Sequence, residues 1–128
     1  SHFKSIVYTS QQEKDKKIVQ YVLKKLEVFY ANDELKPNSF TIEHILPEST
    51  GNQFIGMVGN LIPLGEKLNN ELQDKDFKTK ITKYSDSQYA TVKQFVQEYQ
   101  NEEKWTEKLI EERTEKIAQI MYENIIEG

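Results

Sequence analysis

Apolar residues recur at helical spacing through both ends of this chain, and one stretch interrupts them. Residues 32 to 65 carry all three prolines and four of the five glycines. Helix-forming stripes on either side of such a break must bury their apolar faces against one another and against whatever the middle forms. Ser10 followed by Glu13 has capping-box spacing, and Ile18, Val22, Leu26 and Phe29, widened by Val19, Leu23 and Tyr30, predict a helix over 11–31. Asn32-Asp33 and Pro37-Asn38 end it. Ser39-Phe40-Thr41-Ile42 alternates and is rich in aromatic and β-branched residues, so it reads as a short strand reaching Glu43 at most. Asn60 to Leu64 reads as a second strand, with Pro63 confining it to an edge or an end.

Beyond the break the chain returns to helical spacing. A short helix over 65–73 carries Leu68 and Leu72, Phe77, Ile81 and Tyr84 mark another, and Tyr89, Val92, Phe95, Val96 and Tyr99 a third. Trp105, Leu109, Ile117, Met121 and Ile125 predict a long last helix over 104–126. The fold class expected is α+β, predominantly helical, with a strand–loop–strand–helix unit embedded among flanking helices. At 128 residues the chain is read as one domain, 1–128, able to bury roughly two thirds of its unfolded surface.

Composition removes several classes of function. With no cysteine there is neither a disulfide framework nor a thiolate metal site, which fits a cytoplasmic protein. No run approaches the ~18 apolar residues a membrane-spanning helix needs, so no membrane partner is expected. A net charge of -4 is unlike a general nucleic-acid coat protein. The first residue is Ser1 rather than Met, so a fragment of a longer protein is expected, and His2 carries little weight.

Against that helical background, the polar residues Glu43, His44, Asn60 and Asn69 gather in and around the hairpin. If the two strands pair and the helix packs on them, a carboxylate, an imidazole and an amide converge, and such a set can surround a divalent cation. Each also has a plain reading. A histidine beside a turn is usually a hydrogen-bonded or exposed residue, Asn60 after a glycine is by default a turn residue, and Asn69 and Asn70 suit a helix surface. Lys67, Lys75, Lys78, Lys80 and Lys83 make the segment locally basic, read either as a solvated face or as a phosphate-facing patch. The aromatic stripes, including Tyr84, Tyr89 and Trp105, read as core rather than as base-stacking platforms.

The motifs EHILP, GNLIPL and KLNNEL, followed by DFKTK, resemble the three-part motif of HNH (ββα-metal) nucleases, and resemble more closely the C-terminal nuclease domain of GmrSD-type, modification-dependent restriction enzymes. The tail KWTEKLIEERTEKIAQIMYE is similar to the Trp, Ile and Arg pattern that closes those domains, and the resemblance spans about residues 12 to 126. It implies a ββα-metal core at about 39–73, with His44 as the general base and Glu43 and Asn69 as metal ligands. Asn60 is implied to pin the loop between the strands and so aim His44. Carboxylate and amide oxygens are hard ligands, so Mg²⁺ or Mn²⁺ is the cofactor expected. On that assignment Glu43→Gln and Asn69→Ala reduce metal-dependent activity with the fold intact, whereas Asn60→Ala also lowers stability.

Ile45-Leu46-Pro47 would brace the turn that holds His44. Lys67, Lys78 and Lys80 are the candidate phosphate contacts, with Lys78 or Lys80 alternatively covering Phe77. The implied activity is divalent-metal-dependent DNA endonuclease, within a bacterial anti-phage restriction system and acting on modified phage DNA. The implied partners are a nucleotide-dependent N-terminal domain and a second copy in a homodimer. Two alternatives stay open: an RNA-cleaving or nucleic-acid-binding relative, and a non-catalytic helical interaction module.

Overall fold

The computed structural model describes residues 13–31, 40–51 and 53–126. The expected capping residue Ser10, the Pro37-Asn38 break and Ser39 of the first strand lie outside them. Helix α1 (Glu13–Ala31) leads to a two-stranded antiparallel hairpin, β1 (Thr41–His44) and β2 (Leu61–Leu64). Then come α2 (Glu66–Leu72), α3 (Phe77–Tyr84), α4 (Ala90–Tyr99) and α5 (Glu107–Ile120), the last continuing into a π-type turn, Met121–Ile126. The expected α+β, mainly helical architecture is what forms.

The hairpin is the middle layer, and β2 is buried along its whole length. Successive strand residues point to opposite faces, so Leu61 joins the cluster of Val19, Val22, Leu23 and Leu26 from α1 with Ile117 and Met121. Ile62 and Leu64 join the opposite cluster, built on Phe77, Ile81 and Tyr84 of α3, Val92, Phe95 and Tyr99 of α4, and Trp105. The α1 residues recur at i, i+3, i+4 and i+7, and burying each contributes about 1.5–3 kcal/mol. Phe29, expected to continue that stripe, is 40% exposed, although it lies seven residues from the buried Val22.

Three helix starts depend on polar contacts. The Asp76 side chain accepts the Thr79 N–H at 2.8 Å and sets the start of α3. At α4 the capping group comes from another helix: the buried Glu27 carboxylate of α1 accepts from the N–H groups of Ala90 and Thr91 and from the Thr91 hydroxyl. Thr106 caps α5, so the last helix begins three residues later than its apolar spacing suggests, and Trp105 packs just before it rather than within it. In α5 it is Ile110, not Leu109, that is fully buried.

One close approach locks α5 to the hairpin. At Gly59 an added Cβ would stand 2.1 Å from the Ile110 carbonyl oxygen and 2.4 Å from Thr114 Oγ1. The Gly59 N–H donates to that same hydroxyl at 2.9 Å. The glycine is required here by space, and its φ is not in the left-handed region.

Candidate nuclease site

The ladder geometry explains how the site is assembled on β1. Register pairs Thr41 with Leu64, Ile42 with Pro63, Glu43 with Ile62 and His44 with Leu61, and the Ile45 N–H donates to the Asn60 carbonyl at 2.9 Å. Hydrogen-bonded and non-bonded pairs alternate in an antiparallel ladder. The bonded positions are therefore 41, 43 and 45, and Pro63 occupies a position that needs no N–H. At the non-bonded positions the carbonyls of Ile42 and His44 point away from β2, toward the open edge of the hairpin. Helical side chains take both: Asn69 Nδ2 donates to Ile42 O at 3.2 Å, and Lys80 Nζ donates to His44 O at 2.8 Å.

A polar cleft of about 380 Å³ runs along that edge. It is bordered by Ile42, Glu43 and His44 of β1, by Pro47, Glu48 and Ser49 of the following turn, and by Asn69, Asn70, Gln73 and Asp74. Three sequence-selected residues, Glu43, His44 and Asn69, thus meet at one opening.

His44 is partly exposed, and its Nδ1 lies 3.6 Å from Glu48 Oε1, too long for a hydrogen bond but close enough for Glu48 to be the counter-ion of an imidazolium. Asn69 spends both amide hydrogens on β1, on Thr41 Oγ1 at 2.8 Å and on Ile42 O, which leaves its Oδ1 as the group available to a ligand. Thr41 Oγ1 in turn donates to Leu64 O, tying the amide to both strands. Asn70, the neighbour on α2, is exposed at the rim.

Asn60 does not border the cleft. It is fully buried, and all four of its side-chain hydrogen-bonding positions are used. Oδ1 accepts from Leu46 N at 2.7 Å and from Trp105 Nε1 at 3.0 Å, while Nδ2 donates to Leu46 O and Ile55 O, each at 3.0 Å. One side chain thereby joins both ends of the loop between the strands. Ile45 is buried and Leu46 half-buried beside it, so the Ile45-Leu46-Pro47 segment is braced by packing and by Asn60 together.

Glu43 is placed differently from an open ligand. It is 2% exposed, its Oε2 is 2.9 Å from Lys80 Nζ, and the Tyr84 hydroxyl donates to the same oxygen at 2.6 Å. Burial raises its pKa above the ordinary carboxylate value, against the opposing pull of the Lys80 charge and the Tyr84 and Lys80 hydrogen bonds. Burial also pushes the Tyr84 phenol well up, and the adjacent carboxylate adds to that. Glu43→Gln is consequently no fold-neutral change: it would leave the Lys80 ammonium buried without its counter-ion.

Lys80 requires a correction. The sequence admitted it as a phosphate contact or as solvated cover over Phe77, yet it has no solvent exposure. Lys67 and Lys78 are exposed, and Lys78 lies 4.0 Å from Glu103. Position along α3 separates the two lysines: with Phe77, Ile81 and Tyr84 facing inward, Lys80 falls on the buried face and Lys78 outside it.

Among the described residues, no three His, Asp or Glu side chains converge closely enough to hold a metal. A hard cation here would need the Asn69 amide oxygen, and the donor types fit: Asn69 Oδ1 is left by the amide's two donor bonds, and Glu43, with Oε2 engaged by Lys80 and Tyr84, borders the same cleft. Several site residues escaped the sequence reading. Glu48 and Ser49 stand in the turn after Pro47, and Gln73 and Asp74 in the turn that ends α2, and none of the four belongs to a motif that spacing alone marks. Ser49 Oγ donates to Asp74 at 2.9 Å across the cleft mouth. Arg113, buried, donates to Gly59 O and Leu61 O and packs over the Phe95 ring. Desolvation lowers its pKa to about 10.

No curated protein and no solved structure gives a significant match to the chain. The family model described as GmrSD restriction endonucleases, C-terminal domain, matches residues 2–120, a span that contains the hairpin, the cleft and the helices that support them. The chain therefore belongs to the family of C-terminal domains of GmrSD restriction endonucleases.

Proposed function

We propose that this chain is an HNH-type, divalent-metal-dependent endonuclease that hydrolyses DNA phosphodiester bonds. The observation that carries the reading is the convergence of His44, Glu43 and Asn69 on one polar cleft, with Asn60 clamping the loop that follows His44. Membership of a restriction-endonuclease family supports the same reading.

In this reading His44 is the general base. Its imidazole accepts the proton of the attacking water, a task for which the imidazole side chain is the commonest choice. Nε2 is the nitrogen we assign to it, because Nδ1 faces Glu48. Glu43 Oε1 and Asn69 Oδ1 would hold Mg²⁺ or Mn²⁺, which when bound supplies Lewis-acid stabilisation of the charge developing on the phosphate and the leaving oxygen. Lys80 already neutralises part of the Glu43 charge, so Glu43 and Asn69 alone would hold the cation weakly. Asn60 acts through the loop, and Lys67 and Lys78 supply exposed positive charge beside α2 and α3. The setting proposed is anti-phage restriction of modified DNA in the cytoplasm, with a nucleotide-dependent domain elsewhere in the protein licensing cleavage and two copies pairing to cut both strands.

The test is a plasmid-nicking assay with Mg²⁺ or Mn²⁺, comparing the native chain with His44→Ala, and with single-stranded RNA run in parallel. Metal-dependent nicking abolished by the substitution is expected. Equal cleavage by both proteins would remove His44 from the role of base, and preferential RNA cleavage would replace the substrate.

A further inference from the structure

Lys80 reaches three acceptors belonging to three consecutive residues. Its ammonium lies 2.9 Å from Glu43 Oε2 and donates to His44 O at 2.8 Å and to Ile45 O at 3.1 Å. An ammonium carries three N–H donors, so all are used. The residue has no solvent exposure. Its Cα stands on α3, 36 positions from His44, so a separate helix is what holds this strand end. Tyr84, one turn later at i+4, donates to the same carboxylate oxygen at 2.6 Å.

A buried lysine is an unusual choice for a merely structural post. Desolvating an ammonium costs several kcal/mol, and an apolar side chain of similar volume often stabilises a core as well or better. What lysine does, and an apolar side chain does not, is orient. The His44 carbonyl is one of the two that the ladder turns to the open edge, and the Ile45 carbonyl begins the turn that Asn60 closes from the other side. Holding both carbonyls fixes the peptide planes on either side of Ile45, and with them the direction in which the His44 side chain leaves the strand. Holding Glu43 Oε2 from two donors on α3 fixes the orientation of the carboxylate beside the cleft.

We infer that Lys80 is a positioning residue of the nuclease site, aiming the His44 imidazole and the Glu43 carboxylate together, with Tyr84 as a second donor on the carboxylate. The inference rests on the nuclease reading of the cleft, and its test separates the two. Lys80→Met removes the charge and keeps the stem. Lys80→Arg keeps the charge but presents a planar fork, which does not match three acceptors arranged around one nitrogen. Tyr84→Phe removes a single hydrogen bond.

Two readouts are taken on the full chain at a temperature where circular dichroism shows each variant folded. The first is the imidazole ¹⁵N–¹H correlation spectrum without DNA or metal, with the His44 signals assigned by their loss in His44→Ala. The second is metal-dependent nicking, separated into kcat and KM. Lys80→Met and Lys80→Arg are expected to move or broaden the His44 ring signals and to lower kcat by about 100-fold, with KM within about threefold, because misplacing a reacting group by an ångström costs that much.

Unchanged His44 signals in a folded Lys80 variant, or a kcat within about threefold of native, would overturn the inference. If neither Lys80 variant folds, Tyr84→Phe decides: a kcat reduced about 3- to 10-fold with a raised Mg²⁺ requirement supports positioning from α3, and native kinetics refute it. If the native chain cleaves nothing while the Lys80 variants move the His44 signals, the positioning stands and the nuclease reading of the cleft fails.

Discussion

Replacing Asn60 by alanine tests the loop clamp directly. The substitution removes four hydrogen bonds in a fully buried setting and strands the Leu46 N–H, the Trp105 indole N–H, and the carbonyls of Leu46 and Ile55. An unsatisfied buried donor costs about 1–3 kcal/mol, and a carbonyl with a second lone pair costs less. Leu46 is only half-buried, so water can recover part of its loss, whereas the Trp105 N–H lies among Phe77, Phe95 and Tyr99 with no such recourse.

The net expectation for Asn60→Ala is a loss of about 3–5 kcal/mol, out of a total stability on the order of 5–15 kcal/mol. For a domain of this size that lowers the melting temperature by roughly 10–20 °C. Asn60→Asp sharpens the test. It keeps an acceptor for Leu46 N and Trp105 Nε1 but sets a carboxylate oxygen against two carbonyls. Its folded pKa should therefore lie above the unfolded value of about 3.9, so its stability is best at low pH and falls as pH rises through the folded pKa. Urea unfolding of the three proteins at pH 4 and pH 7 measures both effects. An Asn60→Ala protein within about 1 kcal/mol of native would show that the clamp contributes little and refute the reasoning.

Three further outcomes follow from particular contacts. Gly59→Ala should destabilise by about 2–4 kcal/mol in urea unfolding, because its Cβ would overlap the Ile110 carbonyl and the Thr114 side chain, both held in α5; a cost under about 0.5 kcal/mol would mean the two elements separate easily. Glu27→Ala strands the Ala90 and Thr91 N–H groups that start α4 and should cost about 2–3 kcal/mol, with hydrogen exchange rising first at those two amides; unchanged protection there would contradict the capping role. Asp76→Ala should cost stability at neutral pH, and the difference from native should shrink in acid. The Asp76 pKa is lowered from 3.8 by its bonds to Thr79, so its contribution is complete above that value and disappears as pH falls through the folded one; a difference independent of pH would rule out the charged cap.

Local pattern and spacing were enough to outline much of this molecule. Stripes at i, i+3, i+4 and i+7 define α1 and α4, and the alternation before His44 defines β1, because each element's period is written into its own residues. Glu43, His44 and Asn69 were also legible, since a hairpin followed at once by a helix brings their positions together over short sequence distances. The boundary of α5 was legible only in part, because the Thr106 cap outweighs the apolar spacing that Trp105 extends.

Tertiary structure alone decided what the apolar side of α3 meets, and so gave Lys80, which stands on that side, Glu43 as its partner. It also decided that Glu27 caps a helix 63 residues away, and that Asn60 reaches Trp105 across 45. A residue's own periodicity states which face of its element it occupies, but not what that face meets. Here the meeting of α3 with the open edge of β1, where two carbonyls turn outward, sets the chemistry available to the histidine in TIEHILP.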